Sequence, residues 1–500
     1  MVATLAVAVA GMTLAAAKAA TVPISADEAW SWADWIARGF PYIWTHYSAA
    51  NNHVLETLLA RASLHLFGDT LFALRLPALA GFGILLAAGA ALSRIVIDRR
   101  LLRLLFVASI AFHPYLIDFA ACARGYTLGL GFGFVGLLAL AHALTTRPTT
   151  RLLAAASLAF GLAIGSVPIF ASFVASALVA YLWLAPVRSP DVRGTVIALA
   201  VPMAVVLVAI YGGVIGQLGA SRLRYGADDG WTSLASLHAL LVYTPQGVVD
   251  ARANPALDQA VVPWQRGPLP AAFHAVFDGS LFAWVIGGGA VASIAVAARH
   301  TSSNLGRVRA LPAFTLGLLL LAVIVLSVVL RLPWPLHRTW IPAVPLLFLS
   351  ILVCADTVSR HWSGAVARAA TALVAVAWLA FVLNGAARIR LTKFREWPDS
   401  AVVPDALDTI AHLRPPPLSA VTVGHPWYLH TCLRYSRAHG GRDWLRIPDQ
   451  SNAERPLWDF MLVNRRMGEP PGYVPVKRYP ELGLVLMHRA DLETSGAPVR

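Results

Sequence analysis

The sequence predicts an all-α polytopic membrane protein that carries a small C-terminal α/β domain. Of its 500 residues, 57% are hydrophobic and only 13% are charged, which gives a mean hydropathy of +0.64. One soluble core could not bury that much apolar surface. Long apolar runs recur through the first three quarters of the chain, and after them the composition changes to proline, charge and alternating patches. The two predicted domains are residues 1–386 and 387–500.

The apolar runs predict about eleven membrane-spanning helices, because each approaches the length that crosses ~30 Å of hydrocarbon. The predicted spans are roughly residues 2–19, 70–92, 101–117, 120–143, 152–165, 167–185, 195–217, 280–298, 311–331, 338–355 and 366–386.

The first span has a second interpretation. The stretch "AAAKAATV" resembles a small-residue cleavage region, although no basic segment precedes the apolar run as it does in most signal peptides. Either outcome leaves the acidic stretch that follows outside the membrane.

Short basic connections orient the predicted helices. They are "SRIVIDRRLLR", "TTRPTTR", "PVRSPDVR", "RHTSSNLGRVR" and "SRHWSGAVAR", and all fall on one side of the predicted spans. If that side is the cytoplasm, the loops 20–69 and 218–279 and the C-terminal domain face the opposite compartment. The net charge of +14 is dispersed among these connections, so no nucleic-acid partner is expected. The three cysteines give neither a disulfide framework nor a zinc spacing.

The first outer loop contains an amphipathic helix within "NHVLETLLARASLHLF". Apolar side chains from Val54 to Leu66 share one arc, whereas His53, Glu56 and Thr57 lie opposite. This pattern predicts a helix in the plane of the membrane interface.

The middle loop holds "RLRYGADDGW" and "VPWQRGPLP", a composition that fits either a substrate-covering loop or a plain solvated connection.

The C-terminal domain shows the pattern of a small α/β fold. A helix is predicted near 399–413, a strand near 420–424 and a helix near 427–439. The apolar patches "DFMLVN" and "LGLVLMHR" predict two further strands.

Four stretches together resemble glycosyltransferase family 39, the group of protein O-mannosyltransferases and bacterial aminoarabinose transferases. They are the acidic pair in "PISADEAWSWADW", the block "NNHVLETLLARASLHLFGDTLFALRLPALAGF", "ACARGYTLGLGF" and "HRTWIPAVPLLFL". The resemblance implies the polytopic GT-C fold in a bacterial inner membrane. It also implies transfer of a sugar from a polyprenyl-phosphate donor to a lipid, protein or glycan acceptor on the outer face.

The resemblance places the catalytic base in the acidic pair, which here is Asp27 and Glu28. A carboxylate that takes the acceptor proton is what displacement at an anomeric carbon requires. Ser25 and Glu28 also form a capping-box pattern, so Glu28 has a structural interpretation as well. Asp27 is therefore the preferred base, and Trp30, Trp32 and Trp35 are interpreted as interfacial anchors.

Nine further residues are predicted to bind substrate. They are Asn52, His53, Glu56, Asp118, Arg124, Tyr126, Arg331, His337 and Arg338. Arginine can fork two hydrogen bonds to a leaving phosphate. The polar residues near His53 fit an ordinary interfacial helix equally well, and the arginines fit anchoring among lipid headgroups.

Two departures from the family pattern bear on the site. Val54 follows His53 where relatives often carry proline, and Cys122 stands where many relatives carry an acid. No cofactor is certain, and a divalent metal is left open with Asp27 and Asp118 as the only candidate ligands.

A transporter or flippase, or a noncatalytic relative, remains the alternative. The predicted spans hold few internal acids, which argues against the transporter.

Overall fold

The protein is described from a computed structural model. The structure describes residues 2–146, 149–185, 192–218, 226–242, 280–361, 364–413, 420–448, 458–464, 470–480 and 482–491. Most of the middle outer loop, including the "VPWQRGPLP" stretch, lies outside these residues.

The described chain contains eighteen α-helices and five strands. The helices are α1 (Val2–Thr21), α2 (Ala26–Asp34), α3 (Phe40–Thr45), α4 (Val54–Phe67), α5 (Leu71–Val96), α6 (Arg100–Ala111), α7 (Pro114–Ala120), α8 (Tyr126–Thr145), α9 (Thr150–Ser166), α10 (Phe170–Leu184), α11 (Val192–Tyr211), α12 (Gly230–Val242), α13 (Ser280–Arg299), α14 (Asn304–Val328), α15 (Ala343–His361), α16 (Ala365–Ala387), α17 (Val403–Leu413) and α18 (His430–His439). The strands are β1 (Val421–Gly424), β2 (Leu445–Arg446), β3 (Phe460–Asn464), β4 (Tyr473–Tyr479) and β5 (Leu484–Arg489).

The described residues form two compact units. The membrane unit comprises residues 2–20, 39–242 and 280–389, and the C-terminal unit comprises residues 21–38 and 390–491. The segment 21–38, which contains the acidic pair, therefore packs with the C-terminal residues.

Every predicted span corresponds to a helix or to a bent pair of helices. Among the described residues, seven helices are long and apolar enough to cross a membrane. An eighth span is added if α6 and α7, which meet at a 54° bend, count as one. The other three predicted spans are the shorter apolar helices α9, α10 and the Trp284–Arg299 part of α13. The protein is thus a multi-pass membrane protein.

Helix α8 lies at the centre of the membrane unit, against α5 and α9. At Gly81 of α5 a Cβ atom would overlap the Leu128 backbone of α8, so a side chain there would force the helices apart. Small residues commonly permit such close approach between membrane helices.

Three of the basic connections meet at one end of the membrane unit. Asp98 Oδ1 accepts from Arg309 at 2.7 Å, and Arg360 Nη1 lies 2.6 Å from Asp98 Oδ2. Arg360 also pairs with the buried Asp356, at 2.7 Å. The Asp356 carboxylate accepts the backbone N–H groups of residues 98 and 99, just before α6. We call this cluster the basic-end network; its position agrees with the single-sided placement of the basic connections.

Helix α4 confirms the predicted amphipathic segment, but its polar face is not turned to water. Glu56 and Thr57 are buried in the protein at 1% and 3% exposure, whereas Leu59 and Leu66 are exposed at 37% and 72%. A helix at a membrane interface can place its apolar face toward lipid. The polar residues of α4 therefore belong to the interior of the membrane unit.

The C-terminal unit contains a five-stranded sheet of order β2-β1-β3-β5-β4. Strand β1 is parallel to both neighbours, whereas β5 pairs antiparallel with β3 and β4. Strands β1, β3 and β5 and helices α17 and α18 match the predicted elements. Strands β2 and β4 were not predicted, because β2 has two residues and β4 carries proline and charges. The small α/β domain is thereby confirmed.

Candidate functional site

The acidic pair begins helix α2 in the C-terminal unit. Ser25 is the N-cap, and the capping box is complete: the Glu28 backbone N–H donates to Ser25 Oγ, and Glu28 Oε2 accepts the Ser25 backbone N–H at 2.9 Å. Glu28 is fully buried, whereas Asp27 is only partly buried. The geometry therefore supports a structural role for Glu28 and leaves Asp27 as the more accessible carboxylate.

Helix α2 packs against α18. The Trp32 ring meets Tyr435 edge-on at 5.2 Å and His439 at 4.9 Å. Thr431 Oγ1 donates to the Ala26 carbonyl. Burial, reinforced by the nearby Glu28 and Asp27 carboxylates, raises the pKa of the Cys432 thiol to about 12. Because of this packing, the start of α2 is held in one position within the C-terminal unit.

Of the three tryptophans that the sequence suggested as interfacial anchors, Trp35 does not fit that interpretation. Trp35 is completely buried, and Trp30 stacks on it at 6.5 Å. The Trp30 indole donates to Asp34 at 2.7 Å, so Asp34 has a local structural partner. The sequence interpretation is wrong for Trp35, because the fold buries its ring, and it stays a prediction for Trp30 and Trp32.

Several predicted binding residues of the membrane unit lie together at the turn between α7 and α8. Arg124 is 2% exposed, and its Nη1 donates to the Asn51 carbonyl at 2.8 Å. Its Nη2 lies 3.1 Å from His53 Nε2. The Tyr126 ring packs edge-on against His53, with 5.1 Å between centroids. We call this group, Asn51, His53, Arg124 and Tyr126, the Arg124 cluster.

The His53 ring meets hydrogen-bond donors on both sides. Its Nδ1 faces the backbone N–H of Gly125 at 3.1 Å, while Nε2 faces Arg124. A neutral imidazole has one acceptor nitrogen, so it accepts from only one of these two donors, and a protonated imidazole accepts from neither. Burial is the main cause that lowers the pKa of His53, and the charges of Arg124 and Arg338 lower it further. His53 is therefore neutral and positions the Arg124 guanidinium.

The two polar neighbours of His53 face the protein. Asn52 is completely buried, and its amide donates to the His46 carbonyl at 3.1 Å, which closes the turn after α3. Glu56 is buried in the first turn of α4. Asn52 thus has a clear structural function, and Glu56 adds a carboxylate to the interior of the membrane unit.

Asp118 forms a buried ion pair that was not predicted. Lys18 Nζ lies 2.6 Å from Asp118 Oδ1, and both side chains are almost fully buried. Arg75 is also completely buried and donates to the Ala19 carbonyl at 2.9 Å. Sequence reasoning overlooked Lys18 and Arg75, although a charge inside an apolar run is itself a signal, because such a charge normally has a partner. Among the described residues, no group of three His, Cys, Asp or Glu could hold a metal ion.

The loop between α14 and α15 carries the remaining candidates. Arg331 and His337 have positive φ angles of 54° and 46°, and no other described residue except glycine does. For residues with a side chain this conformation is costly and is held by surrounding contacts. Here the Ser236 hydroxyl accepts the His337 backbone N–H, and the Ser233 hydroxyl donates to the Pro335 carbonyl. Helix α12 therefore fixes the loop, and Arg338 lies close enough to affect His53.

Comparison with known proteins identifies the architecture. No family model matches the sequence, and no curated protein matches it. The apo crystal structure of ArnT from Cupriavidus metallidurans matches with a TM-score of 0.52 at 14% identity, covering 97% of each chain. The same protein bound to undecaprenyl phosphate matches with a TM-score of 0.51 at 13% identity and the same coverage. The chain has the GT-C fold. This confirms the predicted fold class over nearly the whole chain.

The predicted site residues of this GT-C protein divide between its two units. In the membrane unit, His53 contacts Arg124 and Tyr126, and the charge of Arg338 lowers its pKa. Asp27 and Glu28 lie on α2 of the C-terminal unit. The described residues thus contain a fixed guanidinium, a neutral histidine beside it and a partly exposed carboxylate, which are groups suited to phosphate binding and to proton removal.

Proposed function

We propose that the chain is a membrane glycosyltransferase that moves a sugar from a polyprenyl-phosphate donor to an acceptor on the extracytoplasmic face. The observation that carries this proposal is the shared fold with ArnT, whose structure contains undecaprenyl phosphate. The proposed location is a bacterial inner membrane, with the C-terminal unit outside the cytoplasm. The transferred group is a hexose or pentose, and the acceptor is a lipid, a protein or a glycan.

The Arg124 cluster supports binding of the donor phosphate. When the acceptor displaces the phosphate from the anomeric carbon, the bond between that carbon and the phosphate oxygen breaks, and the oxygen keeps the electron pair. An arginine held in advance stabilises this developing charge without reorganising during the reaction. The Asn51 carbonyl and the neutral His53 ring hold Arg124 in one orientation. Arg338 adds a second positive charge near His53.

Asp27 is the proposed base. The acceptor hydroxyl forms a bond to the anomeric carbon, and its proton passes to the Asp27 carboxylate. Glu28 is assigned to the structure of α2, because its carboxylate completes the capping box. Asp118 is assigned to the ion pair with Lys18.

Replacing Asp27 by Asn tests the proposed base. Sugar transfer from a polyprenyl-phosphate donor should fall about 10²- to 10⁴-fold, the usual contribution of a general base, while membrane insertion stays normal. Glu28→Gln should retain transfer, since glutamine can complete the same capping box. Asp34→Asn is the matched control on the same helix, where asparagine can still accept from Trp30.

Transfer should be measured in membranes from a strain that lacks the wild-type protein, with mass spectrometry of the surface glycans to identify the product. Unaltered transfer by Asp27→Asn would remove Asp27 as the base. If the wild-type protein transfers no sugar from any polyprenyl-phosphate donor, the chain is a noncatalytic relative and the proposal fails.

A further inference from the structure

A cavity lies at the basic end of the membrane unit, among helices α13, α14 and α15. Its volume is about 170 Å³, several times the space that one water molecule occupies. Exposed Ser302, Ser303 and Leu305 line it beside the start of α14, whereas buried Arg309 and Ser350 line it deeper in the helix bundle. The cavity therefore leads from the surface to two buried polar side chains.

Both buried side chains have hydrogen-bonding capacity that the described residues do not use. Ser350 is 1% exposed, and its Oγ has no hydrogen-bond partner among the described residues. The Nε of Arg309 is also buried without a partner in the described part of the chain. Buried polar atoms are nearly always paired, so such atoms at a cavity indicate an unaccounted partner. That partner must accept hydrogen bonds, because Arg309 Nε can only donate.

The other polar groups of the cavity do not satisfy these donors. Ser293 donates to the Gly289 carbonyl and Thr357 to the Val353 carbonyl, each within its own helix. Ser303 Oγ accepts the Gly306 backbone N–H. No aspartate or glutamate is among the described residues that line the cavity.

The surrounding charge favours an anion. Arg309 is part of the basic-end network, in which Arg99, Arg309 and Arg360 face the two carboxylates of Asp98 and Asp356. The arginines outnumber the carboxylates, so the network keeps a net positive charge. A ligand that accepts hydrogen bonds and carries negative charge fits the cavity best, and a phosphate ester has both properties.

A lipid is the favoured source of that phosphate. The cavity lies between ends of apolar helices, and the exposed side chain of Leu305 lies at its surface. Basic pockets between membrane helices are typical binding places for anionic headgroups. We propose that this cavity binds the headgroup phosphate of an anionic phospholipid. The site lies far from the Arg124 cluster. Thr127, just after that cluster, donates to the Ala78 carbonyl of α5, whereas Asp98 follows the end of α5, about 27 Å further along the helix.

Binding of phosphatidylglycerol to the full chain in detergent, followed by native mass spectrometry, tests the proposal. The wild-type protein should retain phosphatidylglycerol in preference to phosphatidylcholine. Ser350→Ala, which removes the hydroxyl with little change of volume, should weaken that retention about 5-fold, the effect of one lost hydrogen bond. Ala297→Leu, which fills the cavity from α13, should abolish the preference.

Ala290→Leu is the matched control, because Ala290 is buried on the same helix and does not line the cavity. It should bind phosphatidylglycerol as the wild type does. Equal retention by Ser350→Ala, Ala297→Leu and Ala290→Leu would overturn the site. Equal binding of phosphatidylcholine would overturn the anionic preference, and displacement of the lipid by inorganic phosphate at low concentration would assign the site to free phosphate. Sugar transfer by Ala290→Leu and by wild type tests the proposed function separately.

Discussion

The arginines of the basic-end network and of the Arg124 cluster have different kinds of hydrogen-bond partners. In the basic-end network, Arg309 and Arg360 bind carboxylates, and Asp356 also accepts two backbone N–H groups. In the Arg124 cluster, the guanidinium donates to the backbone carbonyl of Asn51, and the neutral ring of His53 lies 3.1 Å from its Nη2. Carboxylates that pair with arginines and also accept backbone N–H groups fix the helices to one another. A guanidinium oriented by neutral acceptors keeps its charge directed at a ligand, which suits a phosphate.

Removing the central carboxylate of the basic-end network should have the largest effect on stability. Asp356→Asn removes the charge that pairs with Arg360 and leaves buried donors poorly matched, so the free energy of unfolding should fall by about 3 kcal/mol. Thermal melting in detergent measures the loss. The control Asp408→Asn breaks the exposed pair with Arg442 and should cost less than about 1 kcal/mol.

Sugar transfer per folded molecule should be unchanged in Asp356→Asn, since the network takes no part in the proposed transfer. A specific loss of transfer with unaltered melting would contradict the structural role that the comparison gives to the network.

A methyl group at Gly125 should disturb the Arg124 cluster. The added Cβ would overlap the Ser166 carbonyl at the end of α9, so Gly125→Ala should cost about 2 kcal/mol of stability and also displace the N–H that donates to His53. Gly216→Ala is the control, because no atom lies within 4 Å of the Cβ it would add. Melting and transfer should both fall for the first variant only; equal behaviour of the two would show that the turn at Gly125 is not tightly packed.

Much of this fold could be predicted from the sequence. The thickness of the membrane sets the length of the apolar helices, and basic connections collect on one side of it. The eleven predicted spans each coincide with a helix or a bent pair, and the helix at Val54–Phe67 begins and ends close to its predicted limits. The orientation of that helix was not readable. Glu56 and Thr57 form a polar face that water would normally cover, and only the tertiary structure shows that it turns inward.

The smallest predicted effect is the change in stability that follows from the protonation of His53. Its pKa is lowered in the folded protein from the ordinary value of 6.5, so below about pH 6.5 the unfolded chain binds a proton that the folded chain does not. Stability should therefore decline as the pH falls, and at one unit below 6.5 this residue accounts for about 1 kcal/mol. Melting curves from pH 7.5 downward, compared between wild type and His53→Gln, isolate the effect. A parallel decline in both proteins would mean that His53 is protonated in the fold.

The candidate site could be predicted only in part. His53, Arg124 and Tyr126 were found because they open helices on the predicted outer side, and the structure brings them into contact. Lys18 and Arg75 were missed, since each lies in an apolar run whose partner is distant in sequence. The association of 21–38 with the C-terminal unit was also hidden, because it depends on α2 packing against α18, more than 390 residues further along.

Binding of undecaprenyl phosphate to three proteins tests the central claim most directly. The wild type, Arg124→Gln and Arg360→Gln should be compared in detergent with excess phosphatidylglycerol, which saturates other sites for anionic lipid. We expect Arg124→Gln to bind at least about 10-fold more weakly, the loss of a hydrogen bond to a charged group, whereas Arg360→Gln binds as the wild type does. Undiminished binding by Arg124→Gln, or an equal loss in both variants, would contradict the assignment of the donor phosphate to the Arg124 cluster.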